Sequence, residues 1–461
     1  MLTAEAMPLV EHETPRDFLE LRAREFARLD AGGHAYLDFT GSALYPESLV
    51  RSHGDTLRSG VFGNPHAENP TSLASTSHLA LARSRVLRFM DADPAEYTVV
   101  FTANATAALA HVATSYPFGP AVPLVLSVDN HNSVNGIREY AMRAGATVHY
   151  LPLDAELRLH APDARLQSLR QANDAGGLMA FPAQSNFSGV KHPLALVTTA
   201  QSLGFRVLLD AAALLPMTRL SLRDVPADFV ALSFYKMFGY PTGVGALVAR
   251  RDALSQLRRP WFSGGTVDFV SVQNVMHALR AGEEGFEDGT PDFLGISAIP
   301  AGLQFLEDIG LPRIERHSMN LTVQLIAALT SLRHRNGQPL VHVYGPQDAR
   351  ARGATVAFNV LNDAGSVVPF QAVERRAHVA RVSVRGGCFC NPGASETAFG
   401  FPAEATAQCL VSTRMNGWAL SSFAECMRGY PVGAVRASFG MASNRADALR
   451  LLSVVESFVD D

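Results

Sequence analysis

Lysine is almost absent from this chain, and one of its two lysines follows a strand-like segment. Lys and Arg total 39 residues, of which only Lys191 and Lys236 are lysines. Arginine can replace lysine on most surfaces, but it holds its proton too firmly to act as a nucleophile. Lys236 comes two residues after the end of the apolar run 229–234. Chance survival is one explanation for this lysine, and use of its amine in chemistry is the other.

Asp210 gives context to that amine, because it ends another apolar run about one strand–helix–strand unit earlier. A carboxylate at the end of a buried strand is costly unless a cationic group meets it. A protonated pyridine nitrogen is such a partner, and it turns a pyridoxal ring into an electron sink. The glycine-rich turn 238–245 follows Lys236. A capped turn or an ion pair could explain each feature singly, but the combination favours pyridoxal 5'-phosphate.

Two further strand ends carry suitable side chains. Asn104-Ala105-Thr106 follows the run 97–102 and opens a helix, and helix N-termini bind phosphate. That signal is weak alone, because every helix needs an N-cap. His131 follows the run 124–128 and could lie flat on an aromatic ring, although a lone loop histidine is more often simply exposed.

Alternation of apolar runs with helix-like stretches places these residues at one edge of a sheet. The runs that read as buried strands are 97–102, 124–128, 178–181, 207–210 and 229–234, with helices expected at 105–116 and 193–203. Such alternation predicts a mostly parallel, doubly wound sheet. Ligands bind beyond the carboxyl ends of strands in such sheets.

The character of the sequence changes near residue 300. Gly295–Ile309 is predicted to be one long connecting helix with a proline inside it, followed by strands at 354–360 and 378–384. We expect a large domain over 36–300 and a smaller α+β domain over 301–461. The segment 1–35 is expected to pack with the small domain.

Composition narrows the class of protein. The net charge is −4 and no basic cluster is present, so neither a nucleic-acid nor a membrane surface is expected. Apolar runs such as 121–128 are too short to span a bilayer. The N-terminus lacks the apolar core of a signal peptide, which predicts a cytoplasmic protein. The four cysteines are too few for a disulfide framework, and Cys388-Phe389-Cys390 lacks a second ligand cluster, so no metal is expected.

Taken together, these motifs resemble the aminotransferase class V family of fold-type I pyridoxal-phosphate enzymes, which includes the cysteine desulfurases. The chain is especially similar to the N-terminal domain of molybdenum cofactor sulfurases. The segments that carry the resemblance are YLDFTGSALYP (36–46), GNPHAENPTS (63–72), FTANATAAL (101–109), LLDAAALLP (208–216), DFVALSFYKMFGYPTGVGAL (228–247), FEDGTPDFL (286–294), RGGCFCNPG (385–393) and VRASFGMASN (435–444). The implied fold is α/β, with a mostly parallel seven-stranded sheet and a smaller α+β C-terminal domain.

The resemblance implies a role for each site residue. Lys236 matches the family's Schiff-base lysine, Asp210 the partner of the pyridine nitrogen and His131 the ring-stacking histidine. The residues that fall where the family holds the phosphate are Ala105, Thr106, Ser233 and Tyr235. Asn186 matches an asparagine near the substrate and the cofactor's hydroxyl edge. Arg436, together with Arg385, is expected to bind the substrate carboxylate, and Cys390 matches the cysteine that accepts sulfur as a persulfide.

The resemblance also implies an assembly. Relatives in the class V family are homodimers with sites at the subunit boundary. Gly264-Gly265-Thr266 resembles the loop that reaches a neighbour's phosphate, so a two-fold homodimer is expected.

This sequence departs from the family pattern at several points, which leaves the type of reaction open. Sulfurases of this type carry a further domain, which we do not expect here because the sequence ends too soon. Ala213 stands where many desulfurases have glutamine, and Gly386 stands where a bulkier residue is usual.

The first hypothesis for the function is a cysteine desulfurase that leaves alanine and a persulfide on Cys390, with an acceptor protein as a partner. The second is a β-lyase that acts on a cysteine S-conjugate, with Cys390 a bystander. Transamination, epimerisation and decarboxylation stay open, whereas a non-enzymatic role conflicts with the intact lysine, aspartate and histidine.

Overall fold

The computed structural model describes residues 14–460 except 173–175, 416, 418 and 428. Its strands are β1 (Ala35–Tyr36), β2 (Tyr97–Thr102), β3 (Leu124–Ser127), β4 (Val148–Leu151), β5 (Leu178–Pro182), β6 (Arg206–Asp210), β7 (Phe229–Ser233), β8 (Gly245–Arg250), β9 (Val267–Ser271), β10 (Met276–Leu279), β11 (Val341–Tyr344), β12 (Thr355–Val360), β13 (Val382–Ser383), β14 (Arg385–Gly387) and β15 (Ala434–Ser438).

The helices lie between these strands. They are α1 (Arg16–Glu25), α2 (Arg28–Ala31), α3 (Glu47–Ser59), α4 (Pro70–Phe89), α5 (Ala105–Ser115), α6 (Asn132–Asn135), α7 (Ile137–Arg143), α8 (Pro162–Ala172), α9 (Leu196–Ser202), α10 (Phe234–Phe238), α11 (Arg251–Ser255), α12 (Phe293–Ile296), α13 (Ile299–Ile309), α14 (Leu311–Ser331), α15 (Phe370–Val379), α16 (Pro392–Phe399), α17 (Ala403–Met415), α18 (Leu420–Cys426) and α19 (Arg445–Glu456), with a 3₁₀ helix at Gly282–Phe286. No helix among the described residues is long and apolar enough to cross a membrane.

A seven-stranded sheet forms the centre of the fold, in the order β2-β8-β7-β6-β5-β3-β4. Only β8 runs antiparallel to its neighbours, β2 and β7. The predicted mostly parallel sheet is therefore confirmed. Its strands are apolar on both sides because both faces are covered: Val99 and Phe101 join one buried cluster, whereas Val100 joins another.

A second sheet of four antiparallel strands, ordered β11-β12-β15-β14, forms in the C-terminal part. The N-terminal segment packs here: β1 pairs in parallel with β13, and Arg22 on α1 forms a buried ion pair with Asp447 at 2.6 Å. Phe18 stacks on His317 with ring centroids 4.0 Å apart. The boundaries at 35/36 and 300/301 stay predictions.

Two sequence expectations are wrong in detail. The single helix expected over 295–309 is instead α12 and α13, and Pro300 lies in the first turn of α13, where a missing N–H costs nothing. The strand expected over 378–384 is shortened to β13, because α15 continues to Val379 and Arg381 turns through the left-handed region at φ 54°.

Three features were absent from the predicted fold. Strands β4 and β8 complete the central sheet, and β9 and β10 form an antiparallel hairpin. Helices α17 and α18 are joined by a disulfide between Cys409 and Cys426, with their Cα atoms 5.6 Å apart. Cys388 and Cys390 are free.

Candidate active site

The carboxyl ends of the central strands open into one cavity of about 350 Å³. Eight of the predicted site residues line it: Ala105, Thr106, His131, Asn186, Asp210, Ser233, Tyr235 and Lys236. Arg385, Cys390 and Arg436 are not among its lining residues. The cavity thus gathers the residues predicted to hold the cofactor, together with Asn186, which is also predicted to bind the substrate.

Lys236 lies on α10, the short helix that begins where β7 ends. Gly239 ends this helix at φ 76°, where any Cβ would lie 2.2 Å from the backbone nitrogen of Tyr45. No hydrogen bond engages the Lys236 amine within the part of the chain that the structure describes. Burial lowers the pKa of Lys236 below its ordinary value, and the Asp210 carboxylate opposes that shift. Burial thus shifts the Lys236 amine towards its neutral, nucleophilic form.

Asp210 ends β6, and its backbone pairs with Ala231 on the neighbouring strand β7. Its side chain is buried, and Oδ1 accepts a hydrogen bond from the Ala212 backbone N–H at 3.0 Å. The negative charge of Asp210 also acts on His131. A carboxylate therefore stands where a ring cation would be stabilised.

The first turn of α5 forms an anion cradle. Asn104 caps the helix by accepting the Ala107 N–H at 3.0 Å, and the Ala105 N–H donates to Ser233 Oγ at 3.1 Å. Thr106 and Ser133 share a hydroxyl–hydroxyl hydrogen bond of 2.8 Å. A Cβ on Gly245 would lie 2.4 Å from the Asn104 carbonyl carbon, so only glycine lets β8 approach so closely. The hydroxyl groups of Thr106, Ser133 and Ser233 and the positive end of the helix suit a phosphate.

His131 precedes α6, and its Nδ1 accepts the Ser133 backbone N–H at 3.1 Å. The proton of the neutral ring therefore resides on Nε2. Burial lowers the pKa of His131, with Asp210 acting in the opposite direction. The ring is neutral at ordinary pH and can stack on a flat partner without charge.

These groups fit pyridoxal 5'-phosphate. The cavity combines a buried primary amine, a carboxylate for the pyridine nitrogen, a neutral imidazole and a phosphate-binding helix N-terminus. Lys236 would hold the aldehyde carbon, Asp210 the ring nitrogen and α5 the phosphate.

Residues 388–391, which we call the cysteine loop, form a tight turn. Phe389 and Cys390 have φ 57° and 56°, and the Asn391 N–H donates to the Cys388 carbonyl at 3.0 Å, as in a type I′ turn. Asn186 donates to the Phe389 carbonyl at 2.7 Å, and the Asn132 N–H donates to the Cys390 carbonyl at 2.7 Å. The loop backbone is thus fixed to the residues that flank His131 and to Asn186.

The two predicted substrate arginines share one carboxylate. Arg436 Nη2 lies 3.0 Å from Asp38 Oδ1, and Arg385 Nη2 lies 2.6 Å from Asp38 Oδ2. Arg436 Nη1 also donates to the Asn186 carbonyl at 2.9 Å. Arg436 Nε is buried with no hydrogen-bond partner among the described residues. Asp38 therefore positions both guanidinium groups, and no sequence pattern had assigned it this role.

Other site residues also escaped prediction. Gln184 lines the cavity together with Ala213, so an amide is present even though the usual glutamine position holds alanine. Asp129 binds His192 Nε2 at 2.8 Å beneath the loop that carries His131. Gly386 is explained by α15, because a Cβ there would lie 2.2 Å from the Phe370 ring. Asp38 lies within the family-like segment 36–46, which was the available signal for it.

The fold and this residue set define a fold-type I pyridoxal-phosphate enzyme. A model of the aminotransferase class-V family matches residues 35–451. The chain belongs to the aminotransferase class-V family. The predicted family, enzyme class and cofactor are thereby confirmed.

Curated relatives include the molybdenum cofactor sulfurases of Solanum lycopersicum and Bos taurus. The tomato protein is 35% identical over 475 residues, which cover 96% of this chain and 57% of that protein. The bovine protein is 36% identical over 479 residues, which cover 98% of this chain and 53% of that protein. The chain thus spans a little over half the length of these relatives.

Solved structures show the same fold. A cysteine desulfurase from Thermococcus onnurineus superposes with a TM-score of 0.78 at 24% identity, over 97% of this chain and 99% of that one. The cysteine desulfurase CsdA from Escherichia coli gives 0.73 at 23% identity, over 96% and 98%. The cystine C-S lyase C-DES, in complex with cysteine persulfide, gives 0.68 at 17% identity, over 94% and 100%. At these identities the likeness concerns the fold alone.

Proposed function

We propose that this protein is a cysteine desulfurase, which removes the sulfur of free cysteine and holds it as a persulfide on Cys390. The amino-acid substrate would bind over the cavity, with Arg436 and Asn186 facing its carboxylate. The similarity to molybdenum cofactor sulfurases supports sulfur transfer as the outcome. A sulfur-acceptor protein is part of this proposal.

The position of Cys390 is the observation that supports a desulfurase over a β-lyase. Its carbonyl is bound by the N–H of Asn132, the residue after His131. The electrostatic surroundings of Lys236, Arg385 and Arg436 all include Cys390. A β-lyase needs no thiol here, whereas a desulfurase needs one facing the substrate sulfur.

Each residue then has a defined task. The bound cofactor supplies an electron sink for charge that develops on the substrate carbon. Lys236, as a neutral amine, accepts and returns the proton of that carbon. The Cys390 thiolate attacks the substrate sulfur, so that an S–S bond forms as the substrate C–S bond breaks. The carbon fragment takes up a proton and leaves as alanine.

The Cys390→Ser variant tests this assignment. We expect it to lose alanine formation from free cysteine while it keeps the cofactor's visible absorbance, because only the nucleophile is removed. Alanine is measured by chromatography, with wild type and the buried-lysine variant Lys236→Ala as references. Full alanine production by Cys390→Ser would contradict the desulfurase. Unchanged turnover of a cysteine S-conjugate, without alanine from cysteine, would instead identify a β-lyase.

We also propose that the enzyme is a homodimer through the β9–β10 hairpin. Phe269, Val272, Val275 and Met276 are all more than 60% exposed on this hairpin. Clustered exposed apolar side chains of this kind usually cover a protein interface. Gly264 lies at the base of the hairpin with open space around it, as a loop that approaches a neighbour requires.

The proposed compartment is the cytoplasm. Two free cysteines in one turn support it, because reducing compartments keep such thiols free. The Cys409–Cys426 disulfide argues the other way. To decide between these compartments, intact cells are quenched with acid and the free thiols of the protein are alkylated. Alkylation of all four cysteines would fit the cytoplasm, whereas an intact Cys409–Cys426 disulfide would oppose it.

A further inference from the structure

Cys388 is a second free thiol in the cysteine loop, and the chemistry above gives it no task. Both Cys388 and Cys390 are exposed. Phe389, between them, points inward instead and is 7% exposed. Its ring packs against Phe187 at 5.4 Å and lies under the Arg436 guanidinium at 4.8 Å. The buried phenylalanine therefore fixes the loop while both neighbouring thiols stay accessible.

The turn holds the two cysteines within reach of each other. Two residues of extended chain span at most about 7 Å, and a turn shortens that distance. Here both central residues are left-handed, and the Asn391 N–H closes the turn onto the Cys388 carbonyl at 3.0 Å. Sulfur-bridged cysteines have Cα separations of about 4.4–6.8 Å. The Cα separation of two cysteines in such a turn therefore falls in the range at which their sulfur atoms can meet.

The two thiols lie at different ends of the turn. Cys390 is the residue whose carbonyl accepts the N–H of Asn132, next to His131. Cys388 is the first residue of the turn, directly after the edge strand β14. Sulfur that arrives on Cys390 from the substrate can therefore pass to the thiol at the strand end of the same turn.

We propose that Cys388 is a second sulfur-carrying residue, which takes the sulfane sulfur from Cys390 and presents it to the acceptor. In this step the Cys388 thiolate attacks the outer sulfur of the Cys390 persulfide. A bond forms between Cys388 Sγ and that sulfur, the bond to Cys390 Sγ breaks, and Cys390 leaves as a thiolate. The outer sulfur keeps its proton, so no oxidant or reductant is needed. This step rests on the proposed desulfurase function.

Mapping of labelled sulfur tests the transfer. The wild-type holoenzyme is mixed with ³⁴S-labelled cysteine without reductant, then alkylated, digested and fragmented so that cleavage between positions 388 and 390 locates the extra sulfur. A synthetic peptide of residues 385–393 in the same tube is the control for exchange in solution. We expect label on both enzyme cysteines and none on the peptide. In Cys388→Ser we expect label on Cys390 only, and sulfide release to dithiothreitol slower by about fivefold.

Several outcomes would overturn the proposal. Label on Cys390 alone in the wild type, with sulfide release unchanged in Cys388→Ser, removes the relay but keeps the desulfurase. Label on Cys388 in Cys390→Ser makes Cys388 the direct acceptor. Equal label on the free peptide shows exchange in solution, and a Cys388–Cys390 disulfide shows attack on the inner sulfur. Absence of alanine and of persulfide on either residue overturns the relay and the desulfurase together.

Discussion

Lys191 and Lys236 share a side-chain type but have opposite surroundings. Lys191 forms an ion pair with Glu315, which commits its amine to a structural contact. Lys236 faces the cavity, and burial lowers its pKa towards the neutral form. The two lysines therefore offer an internal comparison within one chain.

That comparison gives the first prediction. Borohydride reduction followed by peptide mapping should place the cofactor on Lys236 in the wild type and in Lys191→Arg. It should fix no cofactor to Lys236→Ala, because only Lys236 can form the protein-bound imine that borohydride reduces. A label on Lys191, or no label on the wild type, would refute the assignment.

Residues at strand ends were the predictable part of the site. Asp210 and Lys236 each follow an apolar run, and the alternation of strands and helices brings such ends to one edge. The Asp38 contacts were not predictable in this way. Asp38 meets Arg436 nearly 400 positions later in the chain, and no local pattern encodes a pairing that depends on β15 lying beside β14.

At the scale of elements, the first turn of α5 depends on how closely β8 approaches it. The Gly245→Ala change would place a Cβ 2.4 Å from the Asn104 carbonyl carbon, so the phosphate-binding turn must shift. We expect cofactor affinity to fall by about tenfold, the effect of losing one good phosphate contact of about 1.4 kcal/mol. Titration of the apoenzyme with pyridoxal phosphate, followed by absorbance, measures it.

Gly119→Ala is the matched control for Gly245→Ala, since nothing lies within 4 Å of the Cβ it would add. That variant should bind the cofactor as wild type does. Equal affinities for the two variants would show that the close approach of β8 has no part in shaping the phosphate site.

Helix α5 also carries His111, which packs edge-on against Phe286. Burial lowers the pKa of His111 to about 4, although Asp288 lies 3.9 Å away. The unfolded chain takes up this proton near pH 6.5 and the folded chain does not, so stability present above pH 6.5 is lost as the pH falls towards 4. The expected loss from this residue between pH 7 and pH 5 is about 2 kcal/mol.

Urea unfolding at both pH values measures that loss. His111→Gln should show a smaller decrease in the free energy of unfolding than wild type, whereas substitution of the exposed His66 by Gln should leave the decrease unchanged. If His111→Gln and wild type lose the same stability, the histidine is protonated as readily in the folded chain as in the unfolded one.

Elements with an apolar run and a clear boundary were predictable, and others were not. The run 229–234 became β7, whereas β4 is half exposed at the sheet edge and gives only a short mixed pattern. Pro300 was placed inside a helix although it starts one, because helical periodicity continues across the break between α12 and α13. Local patterns carry little information about such boundaries.

At the scale of the whole molecule, the β9–β10 hairpin is the surface through which we propose that the protein forms a dimer. Phe269→Asp and Val272→Asp should each shift the protein from dimer to monomer in sedimentation, because a charge would be buried in the interface. Val379→Asp is the control, since Val379 is 84% exposed on α15, far from the hairpin in sequence. A wild-type protein that sediments as an active monomer would contradict the dimer.

The anchored backbone of the cysteine loop limits how far a group held on its side chains can move. Asn132, Asn186 and Asn391 bind three successive carbonyls of the loop, so its main chain has little freedom to travel. On the proposed function, sulfur held on this loop would move outward by no more than the length of a side chain, and the recipient would have to cover the remaining distance. Narrow recipients, such as small thiols or a cysteine on a slender protruding segment, would reach it, whereas a cysteine recessed in a broad, rigid surface would be excluded by its shape.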